Sequence, residues 1–329
     1  MSLKVTDDQL VAAITSGLSL ADICRTYDMA LSGNLYSRVE RLCRRHKIEI
    51  RKAYPTRNLS EKQRETAANF QSKLHKHGRQ QVEITDGVIL VCSDAHYWPD
   101  IESTAHRAFC LFAKEMRPHT VIMNGDGFDG ASISRHPRIG WDSKPTVKQE
   151  LEACRQFLGE IEEAASTKSL YWPLGNHDSR FETFLAANAP EFQGVDGFHL
   201  KDAFPLWIPC WSVFINDNTV VKHRFKSGIH APHNNAMWAG RTMVTGHLHS
   251  QKVMPLTNYG GTYWGVDAGM LAPVNGPQFT DYLEDAPVNW RSGFAVLTYW
   301  KGELLTPELV RVYDEAEGLC EFRGTVFQV

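Results

Sequence analysis

The sequence predicts an α/β body with layered sheets, preceded by a small all-helical unit. Three observations carry this. From residue 84 short apolar runs alternate with longer amphipathic segments, the rhythm of strands and helices stacked in layers. Five of the apolar runs end in Asp, Asn or His, as the loops at the carboxyl ends of strands do when they build a ligand site. Ahead of them, residues 1–80 hold 15 Lys+Arg against 8 Asp+Glu, a net of +7, leaving 20 against 30, a net of −10, for the rest. A basic front and an acidic body imply two units with different partners.

The chain has 329 residues, enough for two domains, and 43% hydrophobic with 22% charged residues excludes a fibrous or disordered class. Without an apolar run of about 18 residues no membrane span is expected. The opening MSLKVTDDQL lacks the basic-then-apolar pattern of a secretory signal, so a cytoplasmic location, in a bacterial or phage-infected cell, is the expectation. Seven cysteines lie scattered, odd in number and without a CxxC pair, and read as reduced buried thiols rather than a zinc ribbon.

In the front unit, DDQLVAAITSG has helical apolar spacing, an acidic first turn and Gly17 as a stop. Ser19 precedes LADICRTYDMA and Ser32 precedes NLYSRVERLCRRHKI, both in N-cap position. Two short helices and a longer basic one make the helix-turn-helix layout, whose last helix enters the major groove. Arg38, Arg41, Arg44, Arg45 and Lys47 would then face DNA. A helical cap or protein-docking module with a solvated basic face fits the same pattern. The unit spans residues 1–52, followed over 53–83 by a polar linker with one helix from about Ser60 to His77.

The body covers residues 84–329. Its predicted strands are GVILVCS, HTVIMNG, SLYWPLG, WSVFIN, NTVVKH, TMVTGH, GFAVLTYW and VRVYD, and its predicted helices 102–116 and 147–165. The strands run into Asp94 and His96, into Asp126, into Asn176, His177 and Asp178, into His223, and into His247 and His249. Any one of these segments is an ordinary hydrogen-bonded turn. Five in order, each after an apolar strand, converge on one metal site. Oxygen and imidazole donors without thiolate suit Mn²⁺, Fe or Zn²⁺, and one carboxylate between two cations could bridge them. On an extended strand end His247 and His249 would point to the same side, one serving each metal. Asp129 either orients His96 or only forms its turn, and His136 and Arg138 lie on a loop open to substrate or to solvent.

In this order DAH, NGD, GNHD, a strand-end His and GHLH resemble the calcineurin-like metallophosphoesterase superfamily, over residues 85–300. The resemblance implies a four-layer α/β/β/α sandwich with two divalent metal ions, Mn²⁺ first, then Fe, Zn²⁺ or Ni²⁺. It assigns Asp94, His96, Asp126 and His249 to one metal, and Asp126 as bridge with Asn176, His223 and His247 to the other. His177 would be the general acid for the leaving oxygen, steadied by Asp178, with Arg180 on phosphate. NWRSGF (289–294) resembles a closing strand of phage-type members. The fourth motif departs from the usual His-Gly, reading His223-Arg224, which leaves His230 as a substitute ligand.

The function expected is hydrolysis of phosphoester bonds, as a phosphodiesterase or nuclease acting on DNA brought by the front unit. The alternatives are a phosphatase or small-molecule phosphodiesterase with a protein-docking front, or a non-catalytic phage DNA-binding protein. The substrate expected is nucleic acid; no membrane partner is expected.

Overall fold

The computed structural model describes residues 5–30, 32–49, 78–136, 141, 143–283 and 285–329. The linker helix expected from Ser60 to His77 lies outside these, as does Arg138. The chain divides into two compact units, residues 1–76 and 77–329.

The first unit has the three expected helices: α1 (Asp7–Thr15), α2 (Leu20–Thr26) and α3 (Gly33–His46). Thr6, Ser19 and Ser32 cap them by accepting a backbone N–H at the third helical position, and Gln9 and Asp22 return the bond to the caps of α1 and α2. Leu10, Ile14, Ile23, Leu35, Val39 and Leu42 are buried together in a core of their own. The Arg38 guanidinium pairs with Asp7 and donates to the Val5 carbonyl at 2.8 Å, tying α3 to the start of α1. Arg41, Arg44, Arg45 and Lys47 are exposed, Arg44 in a 2.7 Å ion pair with Glu40.

In the second unit the strands are β1 (Arg79–Val82), β2 (Gly87–Cys92), β3 (Thr120–Met123), β4 (Leu170–Pro173), β5 (Ile208–Cys210), β6 (Ser212–Ile215) and β7 (Thr219–Val221). They continue with β8 (Thr242–Thr245), β9 (Lys252–Asn258), β10 (Gly261–Asp267), β11 (Gly293–Trp300), β12 (Glu303–Leu304), β13 (Glu308–Asp314), β14 (Leu319–Phe322) and β15 (Thr325–Gln328). The helices are α4 (Thr104–Met116), α5 (Val147–Ala165), α6 (Asp178–Asn188) and α7 (Ala231–Ala239), besides shorter turns. Among the described residues one sheet runs β1-β6-β7-β8-β10-β9 and the other β15-β14-β13-β11-β2-β3-β4-β5, with β12 on β11. β1 pairs in parallel with β6, so the body begins at least by Arg79, inside the stretch assigned to the linker.

The layers follow from period-two burial. In β2, Leu90 and Cys92 pack on the helical side while Ile89 and Val91 face the other sheet, and all four are fully buried. β11 repeats the pattern with Phe294 and Val296 against Ala295 and Leu297. Strands buried on both faces read as unbroken apolar runs, which is why these were legible. α4 and α5 cover the outer face of the larger sheet, and α7 packs on β8, β9 and β10 of the smaller one, completing the α/β/β/α order. No helix among the described residues is long and apolar enough to cross a membrane.

Candidate metal centre

Each sheet supplies part of one site. β2, β3 and β4 lead into Asp94 and His96, Asp126, and Asn176; β7 and β8 lead into His223, His247 and His249. Backbone bonds join these loops. Asp94 N donates to the Gly125 carbonyl at 2.9 Å, His96 N to the Asp126 carbonyl at 2.9 Å, and His247 N to the Asp94 carboxylate at 2.8 Å. Asp94 (φ 52°), His96 (40°), Asp126 (53°), His247 (70°) and His249 (57°) all hold left-handed backbone. Asp and His tolerate that region better than most residues, yet such a conformation costs on the order of 1–3 kcal/mol and gathers at functional sites. Past β8 the backbone is left-handed rather than extended as expected, and His247 and His249 fall one into each group, as the one-per-metal expectation had it.

The glycines of the motifs make room for this crowding. A Cβ at Gly175 would overlap the Asp126 carboxylate, and one at Gly246 would overlap that of Asp94.

Two ligand groups result. Asp94, His96 and His249 present donor atoms within 4.8 Å of one another, and Asp126, His223 and His247 do the same. His249 Nε2 lies 3.0 Å from Asp94 Oδ1, and His223 Nε2 3.1 Å from Asp126 Oδ2. His96 Nε2 and Asn176 Oδ1 are buried with no hydrogen-bond partner, while His223 Nε2 faces the Asp126 carboxylate. A buried polar atom left so costs about 1–3 kcal/mol. Imidazoles turned onto a buried carboxylate in each group fit divalent cations, and the donor set holds oxygen and imidazole without thiolate. The ring orientations are fixed from behind. His96 Nδ1 lies 2.7 Å from Asp129 Oδ1 and His223 Nδ1 2.7 Å from the Asn124 carbonyl, which places the proton on Nδ1 and turns Nε2 inward. His223, and not the exposed His230, occupies the site.

Electrostatics bind the groups together. Burial resists ionisation of Asp94, but His249 and His223 beside it bring its pKa down to about 2. Burial likewise resists charge on His223, yet Asp126 and Asp94 raise it to about 10.

His177 adjoins the first group, its ring 4.6 Å from that of His96. Its Nδ1 is 2.8 Å from Asp129 Oδ1, and Arg180 reaches its Nε2 at 3.1 Å while also donating to the Asp129 carbonyl at 3.0 Å. Burial opposes a proton here, but Asp126 and then Asp129 outweigh it and raise the pKa. The role given to Asp178 needs correction. Asp178 accepts from Asp126 N (2.7 Å), Phe128 N (3.0 Å), Gly175 N (2.8 Å) and the Trp172 indole (3.0 Å). It braces the backbone beneath Asp126, and Asp129 is the carboxylate that holds His177. Proximity in GNHD suggested the wrong partner, because the next side chain along points inward at the start of α6.

Sequence reasoning missed Phe279. It stands 5.1 Å from the His96 ring, and Trp290, within the expected NWRSGF segment, stands 4.5 Å from the His249 ring. His136 is exposed.

Among known proteins, a family model described as calcineurin-like phosphoesterase matches residues 87–269. The Gene 54 protein of Mycobacterium phage L5 is 29% identical over 266 residues, covering 73% of this chain and 98% of its own. Its namesake from Mycobacterium phage D29 is 27% identical with the same coverage. Vacuolar Protein Sorting 29 from Cryptosporidium parvum, a solved structure, aligns at 13% identity over 75% of this chain and 100% of its own, with a TM-score of 0.41.

Proposed function

This chain belongs to the calcineurin-like phosphoesterase family, a family of metal-dependent phosphoester hydrolases, and from that premise we propose that it is a phosphodiesterase that cleaves DNA. One observation carries the reading: two groups, Asp94–His96–His249 and Asp126–His223–His247, each turn imidazole nitrogens onto a buried carboxylate, with His96 Nε2 left without a hydrogen-bond partner. Asp94, His96, His249, Asp126, Asn176, His223 and His247 would hold divalent cations, of which Mn²⁺ suits the donors. Bound there, these would neutralise phosphoryl charge and lower the pKa of the attacking water.

The residues around the groups supply the rest. Arg180, paired with His177 Nε2, can exchange that nitrogen for a phosphoryl oxygen as substrate enters. The exchange frees the Nε2 lone pair, which takes up a proton from solvent and can then hand it to the departing alkoxide, a contribution of about 10²–10⁴-fold. Asp129 keeps Nδ1–H in place throughout, and the Asp126 and Asp129 carboxylates favour the added proton on the ring.

The basic α3 surface, with Arg41, Arg44, Arg45 and Lys47 exposed, supports DNA as the substrate. The phage origin of both relatives supports action in an infected host cell. The test is to supply Mn²⁺ and compare a phosphomonoester, a small phosphodiester, single-stranded DNA and duplex DNA. Cleavage of the diester and of DNA is expected; cleavage of the monoester alone contradicts the reading.

A further inference from the structure

Residues 218–266 contain no Asp or Glu, although the chain holds 38. The same 49 residues carry Lys222, Arg224, Lys226, Arg241 and Lys252, a local charge of +5 in a chain of net −3. This segment also supplies His223, His247 and His249 to the centre. Immediately after His223 the chain is exposed for seven residues, Arg224 to His230, before α7 begins. Phe225 is two residues from His223, so their Cα atoms are at most about 7.6 Å apart.

Large apolar side chains stand out of this strap. Phe225 is 46% exposed, Ile229 76% and, from the outer face of α7, Trp238 67%. Lys226 gathers two of them, its Nζ 5.3 Å from the Phe225 ring centroid and 4.6 Å from that of Trp238. The strap is anchored: Lys226 N donates to Asn235 Oδ1 at 2.9 Å, and Lys252 Nζ to the Ile229 carbonyl at 3.3 Å. Asn235 in turn donates to Thr245, two residues ahead of His247, at 3.4 Å. Exposed aromatic rings on a segment that holds no Asp or Glu, anchored close in sequence to a ligand of the phosphoesterase centre, are the parts of a single-strand platform. Bases stack on the rings while cations follow the phosphates.

We propose that Phe225, Lys226 and Trp238 form a stacking platform that binds single-stranded nucleic acid and leads it toward His223. The proposal rests on the diesterase reading and narrows its substrate to a strand with unpaired bases. Arg224 and Lys226 take phosphates; a base enters over Trp238 or Phe225 as Lys226 turns from the ring to the backbone of the strand. Duplex, whose bases are already stacked on one another, gains nothing from the rings.

The test uses the full chain in EDTA, so that binding is read without cleavage, with a labelled ten-residue oligothymidylate and an abasic strand of equal length and charge. The wild type is expected to favour the oligothymidylate tenfold or more, since a stacked base is worth roughly 1–3 kcal/mol. Phe225→Ala/Trp238→Ala is expected to bind both strands equally and weakly, and to lose the tryptophan quenching that oligothymidylate causes. Tyr313→Ala, which removes an aromatic that is 70% exposed on β13, is the control for aromatic loss elsewhere and should retain the preference. Equal wild-type binding of the two strands, or unaltered preference in the double variant, overturns the platform and leaves a protein-docking role for the strap. Mn²⁺-dependent cleavage of a small phosphodiester by the wild type, measured alongside, reports on the centre alone, so the two failures are separable.

Discussion

Asp129 Oδ1 lies 2.8 Å from His177 Nδ1, and the same oxygen lies 2.7 Å from His96 Nδ1. One buried carboxylate thus orients both an expected ligand and the expected general acid. Asp129→Ala should lower affinity at the Asp94 group by about 10–100-fold and cost turnover as well. His177→Ala should keep both ions and lose about 10²–10⁴-fold on an alkyl diester, far less on a good leaving group. Metal titration with steady-state rates on both substrates separates the two variants. Near-wild-type alkyl diester hydrolysis by His177→Ala contradicts its role.

Asp178 meets four donors and no acceptor, so replacing it with Asn turns an N–H group toward N–H groups. Asp178→Asn should destabilise the body by about 2–4 kcal/mol, as breaking a buried charged network does. Urea unfolding measures this. A variant of wild-type stability with only turnover reduced would return Asp178 to the catalytic group.

Metal binding should release protons. Asp126 and Asp94 raise His223 from its ordinary 6.5 to about 10, so the metal-free centre holds a proton at neutral pH that coordination must displace. The charged His223 stabilises the metal-free fold fully below 6.5, and that contribution disappears as pH rises through about 10. Metal affinity therefore rises with pH between these values, about tenfold per unit. Calorimetry at pH 7 in buffers of different ionisation enthalpy should show about one proton released per chain. No release contradicts the pairing.

In the front unit, Arg41, Arg45 and Lys47 changed together to Ala should weaken duplex binding and reduce its salt slope by about 3. Arg38→Ala should instead lower the melting temperature of that unit, because its guanidinium holds Asp7 and the Val5 carbonyl. Filter binding across salt concentrations with thermal melts distinguishes them. An unchanged salt slope in the triple variant contradicts DNA binding by this face.

The strand ends were legible in sequence because β2, β3, β4, β7 and β8 are largely apolar and lead into polar, metal-competent residues. Strands β9 and β10 were not, since KVMPLTN and GTYWGVD are half exposed and show no unbroken apolar run. β1, RQQV, buries only Val82. Helix α6 escaped notice because DSRFETFLAAN buries only Asp178 fully. At the site, the ligand types could be read from motif order, but the bracing by Asp178 could not. Its partners are backbone amides from two loops and an indole from β4, and backbone donors leave no mark in residue identity. The sharing of Asp129 by two rings depends on left-handed turns at Asp94, His96 and Asp126, which Asp and His permit without requiring.

The paired ligand groups are tested most directly by anomalous diffraction from crystals soaked in Mn²⁺. Two peaks roughly 3.5–4 Å apart are predicted, one among Asp94, His96 and His249, the other among Asn176, His223 and His247, with Asp126 between them. Peaks elsewhere, or a single peak that leaves His96 Nε2 or His223 Nε2 without a cation, would contradict a dinuclear centre.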